Sequence, residues 1–153
     1  MKYAERAVDA AADYLKANLP AFLRSTETAG GLKEYSLPDP VAVLQTNAPW
    51  DTRSPLLEVF CESFTIEEHR NQLTACDLTI VLSLIGDADI EKTDAQLYRY
   101  AAAITEAFIE DPSLGDKVES ALVQSANFTQ FRGPQDITRK IAVIDAEIKV
   151  LER

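Results

Sequence analysis

LLEVFCESF (residues 56–64) and LTACDLTIVLSL (residues 73–84) decide the fold, because each stretch can be tested against the other. Both are rich in aliphatic, β-branched and aromatic residues, and an acidic segment containing His69 separates them, so they read as a hairpin. With the turn centred between Glu68 and His69, Leu57 faces Ile80, Val59 faces Leu78, Cys61 faces Cys76 and Ser63 faces Thr74. That face is apolar at six of eight positions. The other face pairs Glu58 with Thr79, Phe60 with Asp77, Glu62 with Ala75 and Phe64 with Leu73. A slip of one residue would turn every side chain over and destroy this sorting. Cys61 opposite Cys76 makes a disulfide conceivable, but reduced core thiols are expected in a reducing compartment.

Outward from the hairpin, two helices are expected. Tyr3, Ala7, Ala11, Tyr14, Leu15 and Leu19 recur at helical spacing, predicting a first helix over Tyr3 to Leu19. Pro20 then opens a short extra turn through Arg24. Thr93-Asp94-Ala95-Gln96 reads as a capping box before a second helix, whose stripe is Leu97, Ala101, Ile104 and Phe108 with Tyr100 beside it. Asp111-Pro112 stops that helix, since the residue before proline avoids helical angles, and Gly115 supplies a turn. Between the first helix and the hairpin, Ser25 to Ser54 reads as a long irregular connection with one short strand at Val41 to Gln45.

Lys117 to Phe131 alternates as a strand, and Arg132-Gly133-Pro134-Gln135 as a turn. The last segment has two readings. Ile137, Ile141, Ile144, Ile148 and Leu151 fit a helix, whereas Ala142, Ile144, Ala146, Ile148 and Val150 alternate with polar residues as in a strand. Six β-branched residues from Ile137 to Val150, Thr138 aside, tilt the choice to strand. The predicted architecture is a single α+β domain over 1–153: a mainly antiparallel sheet with two principal helices packed on one face.

Charge bounds the partners. The chain carries −10 overall. Residues 55–116 hold thirteen acids and three bases, while 117–153 hold five acids and six bases. The acidic middle should repel phosphate backbones, so no specific nucleic-acid binding is expected. No apolar run nears the roughly 20 residues of a membrane-spanning helix, and the N-terminus lacks a signal peptide's apolar core. A cytoplasmic chain, free or assembled, is the expectation.

The residues hold little chemistry. His69, the sole histidine, sits in a Glu-Glu-His-Arg segment that suits a solvated imidazole better than a catalytic base. Cys61, Cys76 and His69 are too few and too scattered for a structural zinc site. Asp87-Ala88-Asp89-Ile90-Glu91 begins like a calcium loop, but Lys92 replaces the needed glycine and Tyr98 the needed acid. Gly30-Gly31 alone cannot cradle phosphates. No catalytic residue, metal or cofactor is expected. Trp50, Phe60, Phe64, Phe128 and Phe131 form either a second core layer or a surface buried against a neighbouring subunit.

The stretch LYRYAAAITEAFIEDPSLGDKVE (97–119) is similar to the tail-terminator, or tail-completion, proteins of long-tailed phages and prophages. The first helix ending in Tyr14-Leu15-Lys16-Ala17-Asn18-Leu19-Pro20 and a final strand after Gly133-Pro134 share the likeness. The resemblance implies a non-enzymatic virion protein, assembled in the host cytoplasm into a homo-oligomeric ring, commonly a hexamer. Such a ring caps the tail-tube protein and joins the tube to head-completion proteins, and an acidic bore would let DNA slide. The Ser25–Ser54 connection would then be an arm reaching a neighbour. A neck or head-completion protein of the same particle, and an intracellular binding or regulatory domain unrelated to phages, stay open as alternatives.

Overall fold

The computed structural model describes residues 3–28, 30–48, 50–70, 72–86, 89–132 and 138–151. Chain order is α1 (Tyr3–Glu27), β1 (Ala42–Leu44), β2 (Leu56–Glu68), β3 (Leu73–Ile85), α2 (Ile90–Glu110), β4 (Ser120–Arg132) and β5 (Thr138–Leu151). The strands form one sheet in the order β1-β2-β3-β5-β4. Only the β1–β2 contact is parallel; the others are antiparallel. Both helices lie on one face, so the fold is the expected α+β.

Helix α1 departs from the expected break at Pro20 and runs unbroken to Glu27. Proline lacks the N–H that would reach Lys16 and crowds its carbonyl. Lys16 lies on the solvent side, where water can take that carbonyl, while Leu15, Leu19 and Leu23 on the other side are fully buried. Apolar burial, at about 1.5–3 kcal/mol per large side chain, outweighs one lost hydrogen bond. Helix α2 starts earlier than the Thr93 capping box requires. Asp89 is the N-cap, its carboxylate accepting from Lys92 N at 3.1 Å. Thr93 is buried within the first turn, and Gln96 donates to Ser36 O at 2.7 Å. The stripe Leu97, Ala101, Ile104 and Phe108 is buried as expected, and Tyr14 of α1 stacks on Phe108 with ring centroids 6.2 Å apart.

The hairpin exists, but its register differs. Leu57 pairs with Leu82, Val59 with Ile80 and Cys61 with Leu78, an offset of two residues that leaves the same side chains facing the helices. The cause is strand length: β2 continues to Glu68, so the hairpin closes beyond it, with Gln72 at φ 55° just before β3. A bulge between Cys61 and Ser63 then changes the alternation, and Phe64 pairs with Cys76. Cys61 and Cys76 are therefore not opposite each other, and both thiols are free. Burial raises both thiol pKa values, that of Cys76 to about 12.

The last segment is a strand. Ala142, Ile144, Ala146, Ile148 and Val150 are buried under the helices, with half-buried residues between them. The 133–135 turn, Ile137 and the Asp87-Ala88 pair lie outside the described residues. The long connection carries one short strand, β1, within the expected Val41–Gln45, and its earlier part is tied to the helices. Leu37 is fully buried; Glu27 Oε2 accepts from its N–H at 2.7 Å, and the Arg24 guanidinium donates to its carbonyl. The Tyr100 hydroxyl donates to Pro38 O.

Candidate functional site

The sheet face opposite the helices is where the chain departs from a simple core. Along β2, β3 and β5 it presents Phe60, Val81, Ile141 and Val143, all half-buried. A cleft of about 300 Å³ lies over them, rimmed by Asn47, Ala48 and Asp51 of the loop preceding β2. Three hydrogen bonds strap that loop down. Glu58 Oε2 accepts from Ala48 N at 2.7 Å, Arg139 Nη2 donates to Arg53 O at 2.9 Å, and Ser54 Oγ accepts from Ile85 N at 2.9 Å.

Glu58 and Arg139 are both buried, at 5% and 3% exposure. Arg139 also donates Nη1 to Ser83 Oγ at 2.8 Å. Burial raises the Glu58 pKa, against the lowering effects of the Ala48 N–H and the Arg139 charge. Asp51 goes the other way, to about 2, chiefly because it accepts from the Arg53 side chain at 2.8–3.3 Å. A buried charge costs several kcal/mol unless paired or hydrogen-bonded, so this polar cluster fixes the loop in one place. Farther along the same face are Glu62, Asp77 and Asp145. Ser63 Oγ donates to Asp77 and Ser125 Oγ to Asp145, each at 3.1 Å.

The five aromatic candidates do not converge. Trp50 sits on the strapped loop, 68% exposed. Phe60 lines the cleft on the helix-free face. Phe64 and Phe128 stand on the helix side near opposite edges of the sheet. Phe64 meets Tyr3 with centroids 6.1 Å apart, and Phe128 meets Tyr98 edge-on at 5.0 Å. Phe131 pairs through its backbone with Arg139, and its side chain lies outside what is described. Phe64 lies on the helix side and not on the face of Phe60, because the bulge between Cys61 and Ser63 shifts the alternation.

Sequence reasoning passed over Glu58 and Arg139. The available signal was a charge inside each apolar run, Glu58 in LLEVF and Arg139 before IAVI. Their partners come from the distant 47–54 loop and β3, which no local pattern reveals. Among the described residues, no group of three or more His, Cys, Asp or Glu side chains could hold a metal ion. His69 is exposed in the hairpin turn. No described helix is long and apolar enough to cross a membrane.

These features define a class: an α+β protein with one helix-covered sheet face and one open face partly crossed by a strapped loop. No known protein family matches the chain, and no curated protein matches it. Among solved structures, it is similar to a chain of the "Virion of native gene transfer agent (GTA) particle", with 13% identity and a TM-score of 0.41, over 88% of this chain and 94% of that one. At that level the likeness carries no functional argument.

Proposed function

We propose that this chain is a structural protein of a phage-like virion and, more finely, a ring-forming tail terminator that caps the tail tube and joins it to the head. The observation that carries the reading is the open sheet face with its apolar cleft and the Trp50 loop beside it. A face of this kind, half-buried in the free chain and edged by an exposed aromatic, suits burial against other subunits. The wording of residues 97–119 supports the same reading.

Size-exclusion chromatography with light scattering at high protein concentration, followed by co-sedimentation with purified tail tubes, tests the proposal. Rings that bind tube ends are the expected result. A strict monomer that never associates with tubes would overturn it in favour of a regulatory domain. Rings that bind head-completion proteins but not tubes would reassign the chain to the neck.

A further inference from the structure

The sheet has two open edges of opposite character. Strand β4 forms one end of the strand order, and its outer edge has no partner strand among the described residues. Its sequence, SALVQSANFTQFR, contains no acid, no proline and one base, Arg132, at its end. Natural edge strands usually carry charge, proline or bulges that block pairing with another chain; β4 has only the Val123/Ser125 bulge. At the other end, β1 covers only Leu56 to Glu58 of β2. From Val59 onward the outer edge of β2 has no further partner strand among the described residues; it carries Glu62, while Glu67 is already bridged to Lys149 at 3.1 Å.

We infer that β4 of one copy adds antiparallel to the 59–68 edge of β2 in the next copy, so that one sheet continues from subunit to subunit. The inference rests on the ring proposed above and specifies how its subunits join. Three observations favour a second copy in this head-to-tail arrangement. First, three successive antiparallel contacts make β4 run opposite to β2, so side-by-side copies of the sheet in the same orientation meet with antiparallel edges. Second, β4 brings no acid to the edge that carries Glu62, whereas β2 meeting β2 would set Glu62 of one copy near Glu62 of the other. Third, Phe64 and Ile66 on β2 and Phe128 on β4, all 40–46% exposed, lie on the helix side. Continuing the sheet brings them to one face across the new strand pair. A heterologous contact of this kind uses both open edges and gives a ring where the rotation between copies closes, whereas two-fold β4–β4 pairing would leave every β2 edge open.

Hydrogen–deuterium exchange of the full chain, compared between dilute monomer and assembled ring, tests the pairing. The expected result is slowed exchange in 59–68 and 120–132 together. Phe128→Glu should weaken assembly by about tenfold or more, beyond any effect of losing the Tyr98 ring contact, which Tyr98→Ala measures separately. Protection of 120–132 alone would indicate two-fold pairing and overturn the inference. Rings with neither segment protected would overturn it while leaving the ring itself standing. A chain that remains monomeric at every concentration would overturn both.

Discussion

The Tyr14 hydroxyl donates to the Ala107 carbonyl at 2.6 Å and so ties the middle of α1 to the last turn of α2. Ala107 O also accepts the Asp111 N–H, the bond that closes α2, at 3.4 Å. Tyr14→Phe keeps the ring stacked on Phe108 and removes only the donor. The expected cost is about 0.5–1.5 kcal/mol, read as a lower urea midpoint with unchanged slope. An unchanged midpoint would mean that solvent already satisfies this carbonyl.

Gly115 separates backbone strain from packing. Its φ is +73°, and a Cβ there would meet nothing within 4 Å. Gly115→Ala therefore costs conformational energy alone, about 1–2 kcal/mol. Gly30 is equally open but has no left-handed φ, so Gly30→Ala should be neutral or slightly stabilising through the unfolded state. Paired thermal melts check both, and equal effects would contradict the assigned geometry.

Glu58 should matter as an acceptor more than as a charge. Glu58→Ala leaves the Ala48 N–H without its partner and the buried Arg139 without its nearby carboxylate, at a cost of about 1–3 kcal/mol. Limited proteolysis should then cut the 47–54 loop faster. Glu58→Gln keeps an acceptor and relieves the burial of charge, so its cost should stay below about 1 kcal/mol.

Acid and base should act oppositely on that loop. Glu58 has a raised folded pKa, so its contribution to stability is greatest below the unfolded value of 4.5 and declines as pH rises through the folded value. Asp51 has a lowered one, so it stabilises above 3.8 and its contribution is lost as pH falls through about 2. Wild type measured against Glu58→Gln should lose relative stability as pH rises above 4.5, and against Asp51→Asn should lose it as pH falls below 3.8. Parallel denaturation series across pH 2–7 give both signs.

Trp50 should be dispensable to the monomer and important to assembly. At 68% exposure, Trp50→Ala should change monomer stability by no more than about 0.5 kcal/mol. If the loop enters a subunit interface, association should weaken by about 2 kcal/mol or more, as for a buried aromatic anchor. Analytical ultracentrifugation measures the second quantity, and an unchanged association would remove Trp50 from the interface.

The amino-acid pattern alone determined which elements form. The α2 stripe, the Asp111-Pro112 stop and the alternation of Ala142 to Val150 each reside in a few neighbouring residues, so local spacing suffices to read them. It also separated the acidic middle of the chain from the near-neutral end that carries β4. Tertiary structure alone decided the rest. Leu19 and Leu23 carry α1 through Pro20 because they have a sheet to pack on, and local propensity says nothing of that sheet. The β2–β3 register depended on where the turn closes and on a bulge at Cys61/Ser63, and both alter pairing without altering composition. Glu58 and Arg139 became a site only when residues 47–54 folded back over them. Spacing reports on neighbours a few residues apart, whereas the strapped loop and the open sheet edges depend on contacts between segments far apart in the chain.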